Sequence, residues 1–500
     1  MYPEPIQTEI LSIAPDRNGE TGAECEIILP DYCPNVLRIL QTDVSVTRKT
    51  CVPNADRLTV EGTAEFRILY LGEDGSGLSC VTQQTPFSCS LEAKTEEKDG
   101  FDVKIFPVAC SARALTSQKL YARCTLQIRL RKDGKIPLPY LEDAAEYECK
   151  TETRTVATLL CTGEKPLRIS DEFENETGKL ATQICDCRVS FRETELKPLT
   201  DKLIVKGDMF LDLLCKAEDG ALFSLRQTVA VSQILDMPNV GANPVCTVDF
   251  DLLYFTPSLR EQPNGGQTVE YDTEIRVFCK AYGETEAEWV RDAYCAKKIL
   301  DYTKTAFSVN RLIGVRESGS IRESVDVGSC TSILQATVTP EWKRLAYESE
   351  SDALLCEGAW ICKVLAVDGE GIQTALQREI PFRFQTPSEG CTNPIRNDTK
   401  VILTDLSWNL TDPAHLELRG TYYWNGLIVG QEKQEAVTEI TVRNDRPRCE
   451  DTVTLCYAKA GESAWEIAKE YACPYGELMR TNELTEDKLE SDRVLLILTN

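Results

Sequence analysis

The stretch Leu58-Thr59-Val60-Glu61-Gly62 has two counterparts further along the same chain, Leu203-Ile204-Val205-Lys206-Gly207 and Leu354-Leu355-Cys356-Glu357-Gly358. The three glycines are 145 and 151 residues apart. Self-similarity at such a spacing indicates that one structural unit has been repeated along the chain. The sequence therefore predicts three copies of a single structural unit, each marked by one of these glycines.

A second glycine follows each of the first three after thirteen residues, at Gly75, Gly220 and Gly371, and it lies beside acidic residues between apolar segments. This arrangement is typical of hairpin turns, because the turn needs a residue with positive φ. Further downstream, apolar and polar residues alternate with a period of two, as at residues 126–130. We therefore expect half-buried strands, with a hairpin opening each repeat.

Short strands separated by Gly, Asn and Pro turns favour antiparallel β-sandwiches over a parallel α/β plan. We expect the three repeats at residues 1–150, 151–300 and 301–445, and a small α+β domain at residues 450–500. The stretch 284–301 is rich in Ala, Glu and Lys and predicts connecting helices. The predicted fold class is mainly β, with three sandwich-like repeats and one terminal α+β domain.

The net charge of −25, from 80 acidic and 55 basic residues, makes nucleic acid and anionic membrane surfaces poor partners. The first residues lack the basic start and apolar run of a secretion signal, and no stretch approaches the ~18 apolar residues of a membrane span. We expect a soluble, cytoplasmic protein that is not inserted in a membrane.

The residues that usually carry catalysis or bind metals are scarce. The 22 cysteines are scattered without a Cys-x-x-Cys pair, and His415 is the only histidine, so a zinc site is not expected. We interpret the cysteines as small buried side chains in a reducing compartment. A phosphate-binding loop is also missing from the sequence. The sequence thus predicts no catalytic residues, no metal and no cofactor.

After residue 450 the pattern changes to a compact β-α-α-β unit. Residues 454–459 predict a strand, and Ser463 with Glu466 forms the capping box of a first helix. A second helix is predicted over 474–482 and a last strand over 494–498. Helical spacing places Trp465, Ile467 and Tyr471 in the core of this unit.

This unit resembles a LysM domain, through Tyr457, the run from Gly461 to Trp465, and the later run from Asn482 to Leu484. In that family two segments bind glycans that contain N-acetylglucosamine. Carried over by position, the candidate binding residues are Gly461, Glu462, Ser463, Ala464, Asn482, Glu483 and Leu484. Glu462 and Asn482 are expected at the surface. Residues 490–492 replace the family's usual turn, so both a glycan and a protein stay open as the ligand.

The repeats resemble the SPOCS domain of sporulation proteins, through residues 39–46, 58–62 and 67–70 and their counterparts. SPOCS repeats with one terminal LysM domain resemble clostridial spore-coat morphogenetic proteins. That resemblance implies a mother-cell protein at the forespore surface, whose LysM domain docks onto the coat basement-layer ATPase (SpoIVA type). The protein would promote encasement and tether other coat proteins. The alternatives are a peptidoglycan-binding LysM protein and, through paired carboxylates, a cell-wall hydrolase.

Overall fold

The computed structural model describes residues 8–54, 56–73, 77–92, 102–142, 144–241, 243–263, 265–446 and 453–498. Within these ranges the chain is almost entirely antiparallel β-strand, with two short α-helices near its C-terminal end. Three groups of strands share one pairing scheme, and a β-α-α-β unit follows them. The predicted fold class is confirmed, whereas the residue limits of the domains stay predictions.

The first group consists of two three-stranded sheets and an accompanying two-stranded sheet. Its strands are β1 (Glu9–Ile13), β2 (Arg17–Ile28), β3 (Val36–Asn54), β4 (Arg57–Gly72), β5 (Leu78–Glu92), β6 (Asp102–Thr116), β7 (Lys119–Arg131) and β8 (Asp133–Pro137). β3, β4 and β5 form a meander, β7 lies between β2 and β6, and β1 pairs with β8. The two larger sheets enclose an apolar core that includes Val60, Phe66 and Leu126, as in a β-sandwich.

The second and third groups repeat this plan, since the first strand again pairs with the last and the second to fourth form a meander. The second group contains β9 (Glu148–Glu174), β10 (Ala181–Leu199), β11 (Lys202–Ala217), β12 (Leu222–Asp236), β13 (Val245–Glu261) and β14 (Gln267–Tyr294). The third contains β15 (Lys298–Asp326), β16 (Cys330–Glu348), β17 (Ala353–Asp368), β18 (Gln373–Pro387), β19 (Pro394–Asp412) and β20 (His415–Asp445). The terminal unit contains β21 (Val453–Ala458), α1 (Ala464–Glu470), α2 (Tyr475–Thr481) and β22 (Arg493–Leu498).

The helices predicted over 284–301 are wrong, because these residues end β14 and begin β15. Ala287 and Trp289 are buried while Glu286 and Glu288 between and before them are not, which is the period of a strand. β14 pairs along its whole length with β9, a strand more than a hundred residues earlier. That distant partner supplies the backbone hydrogen bonds and overrides the helix-forming composition.

The predicted hairpin turns connect β4 to β5, β11 to β12 and β17 to β18, so they lie inside each repeat and the expectation that a hairpin opens each repeat is wrong. Gly220 and Gly371 have φ of 82° and 83° at two of these turns, as the turn chemistry predicts. In the first repeat, residues 74–76 of the predicted turn lie outside the described residues.

The three repeated glycines, Gly62, Gly207 and Gly358, lie in the central strands of the meanders, each opposite a β-bulge in the preceding strand. The bulge brings a partner carbonyl close. An added Cβ at Gly207 would lie 2.6 Å from the carbonyl oxygen of Arg192, and one at Gly358 would lie 2.5 Å from that of Glu341. Glycine is therefore needed here for close backbone approach, which explains why it marks each repeat.

Equivalent leucines from the three repeats meet in one apolar cluster. Leu69, Leu214 and Leu365 each lie seven residues after the repeated glycine, and all three are buried there. Cys80 and Cys185 complete the buried part of the cluster together with Leu78. The three sandwiches thus pack around a common centre instead of lying in a row.

Around this centre, equivalent positions carry different charges. Five residues after the repeated glycine the chain has Arg67, Asp212 and Lys363. Asp43 of the first repeat accepts hydrogen bonds from Arg188 of the second, at 3.1 Å, and from Lys363 of the third. Burial alone would raise the pKa of Asp43, but these two cations outweigh it and lower the pKa. The charges therefore favour one order of repeats around the centre.

Asp133 makes the most deeply buried link between repeats. Its carboxylate is 1% exposed and accepts hydrogen bonds from Lys280 (2.9 Å) and Tyr282 (2.6 Å) on β14, and from Arg396 (2.7 and 3.1 Å) on β19. Burial opposes ionisation, yet the Arg396 and Lys280 cations hold the pKa of Asp133 far below its ordinary value. One carboxylate therefore joins β8 to strands of the other two repeats.

We expect Gly358→Ala to lower the stability of the protein by about 1–3 kcal/mol, because its Cβ would push the Glu341 carbonyl out of the bulge. Urea denaturation followed by circular dichroism measures the change in midpoint. Gly314→Ala is the matched control, since a Cβ at that strand position meets nothing within 4 Å. Equal midpoints for both variants would contradict the proposed role of the glycine.

We expect Asp133→Asn to lower the stability by about 3–5 kcal/mol, because Lys280 would stay buried without its counter-charge and Arg396 would keep only Asp398. Chemical denaturation provides the measurement. Glu195→Gln, which removes an exposed carboxylate paired with Lys206, should leave the midpoint nearly unchanged. A small effect of Asp133→Asn would mean that water or a neighbouring acid compensates the two cations.

Candidate partner-binding module

The terminal unit has the predicted β-α-α-β order, with β21 and β22 paired antiparallel and both helices packed on one face of that sheet. Trp465 and Ile467 are buried in its core and Tyr471 packs against them, which confirms the predicted packing of these residues. Leu495 and Ile497 of β22 close the core from the sheet side.

The first predicted binding segment, residues 461–464, is held by hydrogen bonds within the module. Gly461 has φ of +88°, and its N–H donates to the carbonyl of Leu489. The Ser463 hydroxyl caps α1 by accepting the N–H of Glu466, and it also donates to the carboxylate of Asp487 at 3.0 Å. The capping role predicted for Ser463 is confirmed, and its hydroxyl is engaged on both sides.

The second predicted segment, residues 482–484, begins with a buried side chain. The Asn482 amide donates to the carbonyls of Leu478 and Leu496, and its oxygen accepts the N–H of Leu496. The expected surface position of Asn482 is therefore wrong, because this side chain joins the end of α2 to β22. Glu483 is exposed at a φ of 51°, and Leu484 is half-buried against the core.

Of the seven predicted residues, Gly461, Glu462 and Glu483 are exposed, Ser463 and Leu484 are half-buried, and Ala464 and Asn482 are buried. The partner of the first segment across the module is residues 487–489, since Ala464 N–H donates to the Asp487 carbonyl and Leu489 N–H to the Glu462 carbonyl. Asp487 itself was missed by sequence analysis, because its role depends on a loop closure that sequence spacing does not show.

Helix α1 attaches the terminal module to the strands of the second and third repeats. Asp292 near the end of β14 accepts hydrogen bonds from the indole N–H of Trp465 (2.8 Å) and from Lys469 (2.7 and 2.8 Å). Tyr302 of β15 donates to the same carboxylate at 2.8 Å. Burial would raise the pKa of Asp292, but the hydrogen bonds from Lys469, Trp465 and Tyr302 lower it. An ionised Asp292 therefore joins the module to two repeats.

Two further sets of contacts also attach the module to the repeats. The Tyr294 hydroxyl donates to the carbonyl of Cys473 at 2.7 Å, and its ring meets that of Trp465 edge-on at 5.0 Å. Lys150 of β9 pairs with Asp487 at 2.8 Å. Asp487 thus links the first predicted binding segment to the body, so one side of that segment already faces the repeats.

The outer face of the β21–β22 sheet is apolar and open. Val453, Leu455, Tyr457 and Val494 are 52%, 70%, 64% and 55% exposed. Tyr457 lies directly opposite Val494 in the strand pairing, so the four side chains form one patch on the face that the helices do not cover. We call this patch the apolar face. The sequence signalled it, because the run 494–498 is apolar at every position and a strand with one wet face alternates instead.

The residues considered for catalysis lie apart from this module. His415 is exposed at the turn between β19 and β20, where its ring Nδ1 lies 2.9 Å from the carboxylate of Asp412. Asp412 also accepts the backbone N–H groups of Ala414 and His415, which makes it a turn-forming residue. Among the described residues, no group of three His, Cys, Asp or Glu side chains could hold a metal ion, and no helix is long and apolar enough to cross a membrane.

Two family models match three stretches of the chain. The model described as "SipL, SPOCS domain" matches residues 35–113 and 181–259, and the LysM domain model matches residues 458–498. No curated protein and no solved structure was found to match. The two SPOCS matches fall in the first and second strand groups, and the third group shares their strand pairing.

We expect Asp292→Ala to loosen the module from the repeats, because Lys469 and the Trp465 N–H would lose their acceptor. The cost of about 1–3 kcal/mol should raise hydrogen exchange in α1 roughly tenfold or more, as measured by mass spectrometry of peptides from 464–473. Asp301→Ala is the control, since Asp301 pairs with Arg443 at the surface. Unchanged exchange in Asp292→Ala would show that this carboxylate does not hold the module.

Proposed function

We propose that this protein, which combines SPOCS domains with a C-terminal LysM domain in a SipL-like architecture, is a non-catalytic scaffold of the spore coat. In this proposal it acts in the mother cell at the forespore surface. Its LysM domain binds the coat basement-layer ATPase and its repeats contact other coat proteins during encasement. The domains that the family models match are binding modules, which fits an assembly role.

The observation that carries this proposal is the apolar face. Four apolar side chains on one side of two paired strands expose an area on the order of 300–500 Å², which is the size of the largest apolar patch on a typical monomer, and that patch is often functional. Leu455 and Tyr457 are the most exposed of the four, and a tyrosine that becomes buried on binding is a frequent anchor of protein interfaces. The face thus supports a protein partner.

The charge of the module indicates the chemistry of that partner. Residues 453–498 contain nine acidic and five basic side chains, so the module that presents the apolar face is acidic overall. A partner with an apolar pocket and a basic rim would be complementary in shape and in charge. The area of the face alone is below the roughly 800 Å² per partner of a standard interface, so the partner is expected to contact further surface around it.

A glycan containing N-acetylglucosamine is the second candidate ligand, because the LysM match includes both predicted segments. Gly461, Glu462 and Glu483 are the exposed members of those segments. The Ser463 hydroxyl and the Asn482 amide, the neutral polar groups suited to sugar hydroxyls, are already hydrogen-bonded inside the module. This internal engagement favours the protein partner.

We expect the double variant Leu455→Thr, Tyr457→Thr to weaken binding of the full-length chain to the basement-layer ATPase at least tenfold, measured by calorimetry. Threonine keeps strand propensity while removing most of the apolar contact. Tyr32→Thr with Leu37→Thr is the matched control, since both residues are exposed on the first repeat, at 88% and 64%. Equal affinity of the two double variants would contradict docking through the apolar face.

The glycan alternative has its own readout. The unmodified chain and a Glu462→Gln, Glu483→Gln variant are compared for retention on insoluble peptidoglycan. Retention that depends on the two carboxylates, together with unchanged ATPase affinity in the apolar-face variant, would replace the proposed function by glycan binding. Release of soluble fragments from the peptidoglycan would instead establish a hydrolase.

A further inference from the structure

Two cysteines of the first repeat lie within reach of a covalent bond. The Sγ atoms of Cys110 on β6 and Cys124 on β7 are 2.7 Å apart. A disulfide joins its sulfurs at about 2.05 Å, so a small rotation of either side chain would close the gap. Cys124 is fully buried, whereas Cys110 is half-buried, so part of its surface faces the solvent.

A bulge in β6 builds this pair. Val108 lies opposite Thr125 and Ser111 opposite Arg123, so the two residues between them on β6 face a single residue, Cys124. Ala109 adopts a φ of 48°, which a residue with a Cβ rarely does, and Cys110 follows it. This irregular backbone places the Cys110 sulfur beside the Cys124 sulfur.

The two thiols differ in reactivity. The hydrogen bond from Cys124 lowers the pKa of the Cys110 thiol against the opposing effect of burial, and the Lys363 ammonium acts in the same direction. The pKa of the Cys124 thiol is raised, mainly by its hydrogen bond to Cys110 and secondly by burial. An accessible thiol with a lowered pKa beside a second thiol is the arrangement in which oxidation proceeds to a disulfide.

We propose that Cys110 and Cys124 form a specific oxidation site, at which a low-molecular-weight disulfide such as oxidised glutathione closes a disulfide between β6 and β7. The Cys110 thiolate attacks one sulfur of the oxidant, forming a mixed disulfide and releasing one glutathione thiolate. The Cys124 sulfur then attacks the Cys110 sulfur, breaks the mixed disulfide and releases the second glutathione. The two protein thiols lose two electrons, and their two protons pass to the two glutathione molecules.

The protein contains its own reference pair. Cys80 of β5 and Cys185 of β10 are also neighbours, in the buried cluster at the centre of the three repeats, and each shifts the pKa of the other. Their exposures are 7% and 3%, so the oxidant has no access to either sulfur in the folded protein. Proximity is therefore shared by the two pairs, and only the first pair combines it with access.

The test uses the folded full-length chain, treated with oxidised glutathione, then unfolded, alkylated and digested with trypsin. We expect peptides 105–113 and 124–129 to appear cross-linked, with Cys80 and Cys185 alkylated. In Cys124→Ser, we expect Cys110 to retain one glutathione. In Cys110→Ser, Cys124 should stay alkylatable.

The proposal is overturned if Cys110 of the unmodified chain stays fully alkylatable, or if it retains glutathione while Cys124 remains a free thiol. Oxidation of Cys80 and Cys185 at the same rate would also overturn it, because access would then not select the site. Treatment with dithiothreitol before alkylation should return the Cys110 and Cys124 thiols, which confirms that the product is a disulfide.

Discussion

The buried carboxylate of Asp133 is the interaction on which the arrangement of the repeats depends. An ionised acid at 1% exposure is tolerated only when charge and hydrogen bonds compensate its lost water. Lys280, Tyr282 and Arg396 provide that compensation from strands of the second and third repeats. If the first repeat moved away, Lys280 would lose its counter-charge and Arg396 would keep only Asp398. The three sandwiches are therefore coupled, and a chain of independent domains does not describe them.

Equivalent positions in the three repeats differ in how similar their residues are, and this difference also bears on how the repeats are arranged. Leu69, Leu214 and Leu365 stayed alike where the repeats meet, since apolar packing does not depend on which copy contributes the side chain. Arg67, Asp212 and Lys363 became different, and charge complementarity does depend on it. A centre with one charge sign in all three copies would repel itself. The similar residues hold the repeats together, and the dissimilar ones determine their order.

Local sequence patterns correctly predicted those structural features that are determined by a few consecutive residues. The repeated glycines, the positive φ of Gly220 and the helix cap at Ser463 each follow from the chemistry of a few consecutive residues, and the structure contains all three. The strand that replaced the predicted helix over 284–301 could not be found in this way, because it pairs with β9. Asn482 was misplaced for the same reason, since its acceptor on Leu496 comes from another strand. The attachment of Trp465 to Asp292 joins residues 173 positions apart.

The contacts between Trp465 and Asp292 fix the orientation of the terminal module relative to the repeats. A domain on a loose tether would sample many orientations, and a partner would have to restrict them at an entropic cost when it binds. Here Asp292, Tyr294 and Lys150 have already restricted them, through the side of the module opposite to its bare sheet. In every copy of the protein, the apolar face of the β21–β22 sheet would consequently have the same orientation relative to the repeats. In the proposed scaffold role, a layer built from such copies would acquire two different sides from the geometry of a single chain.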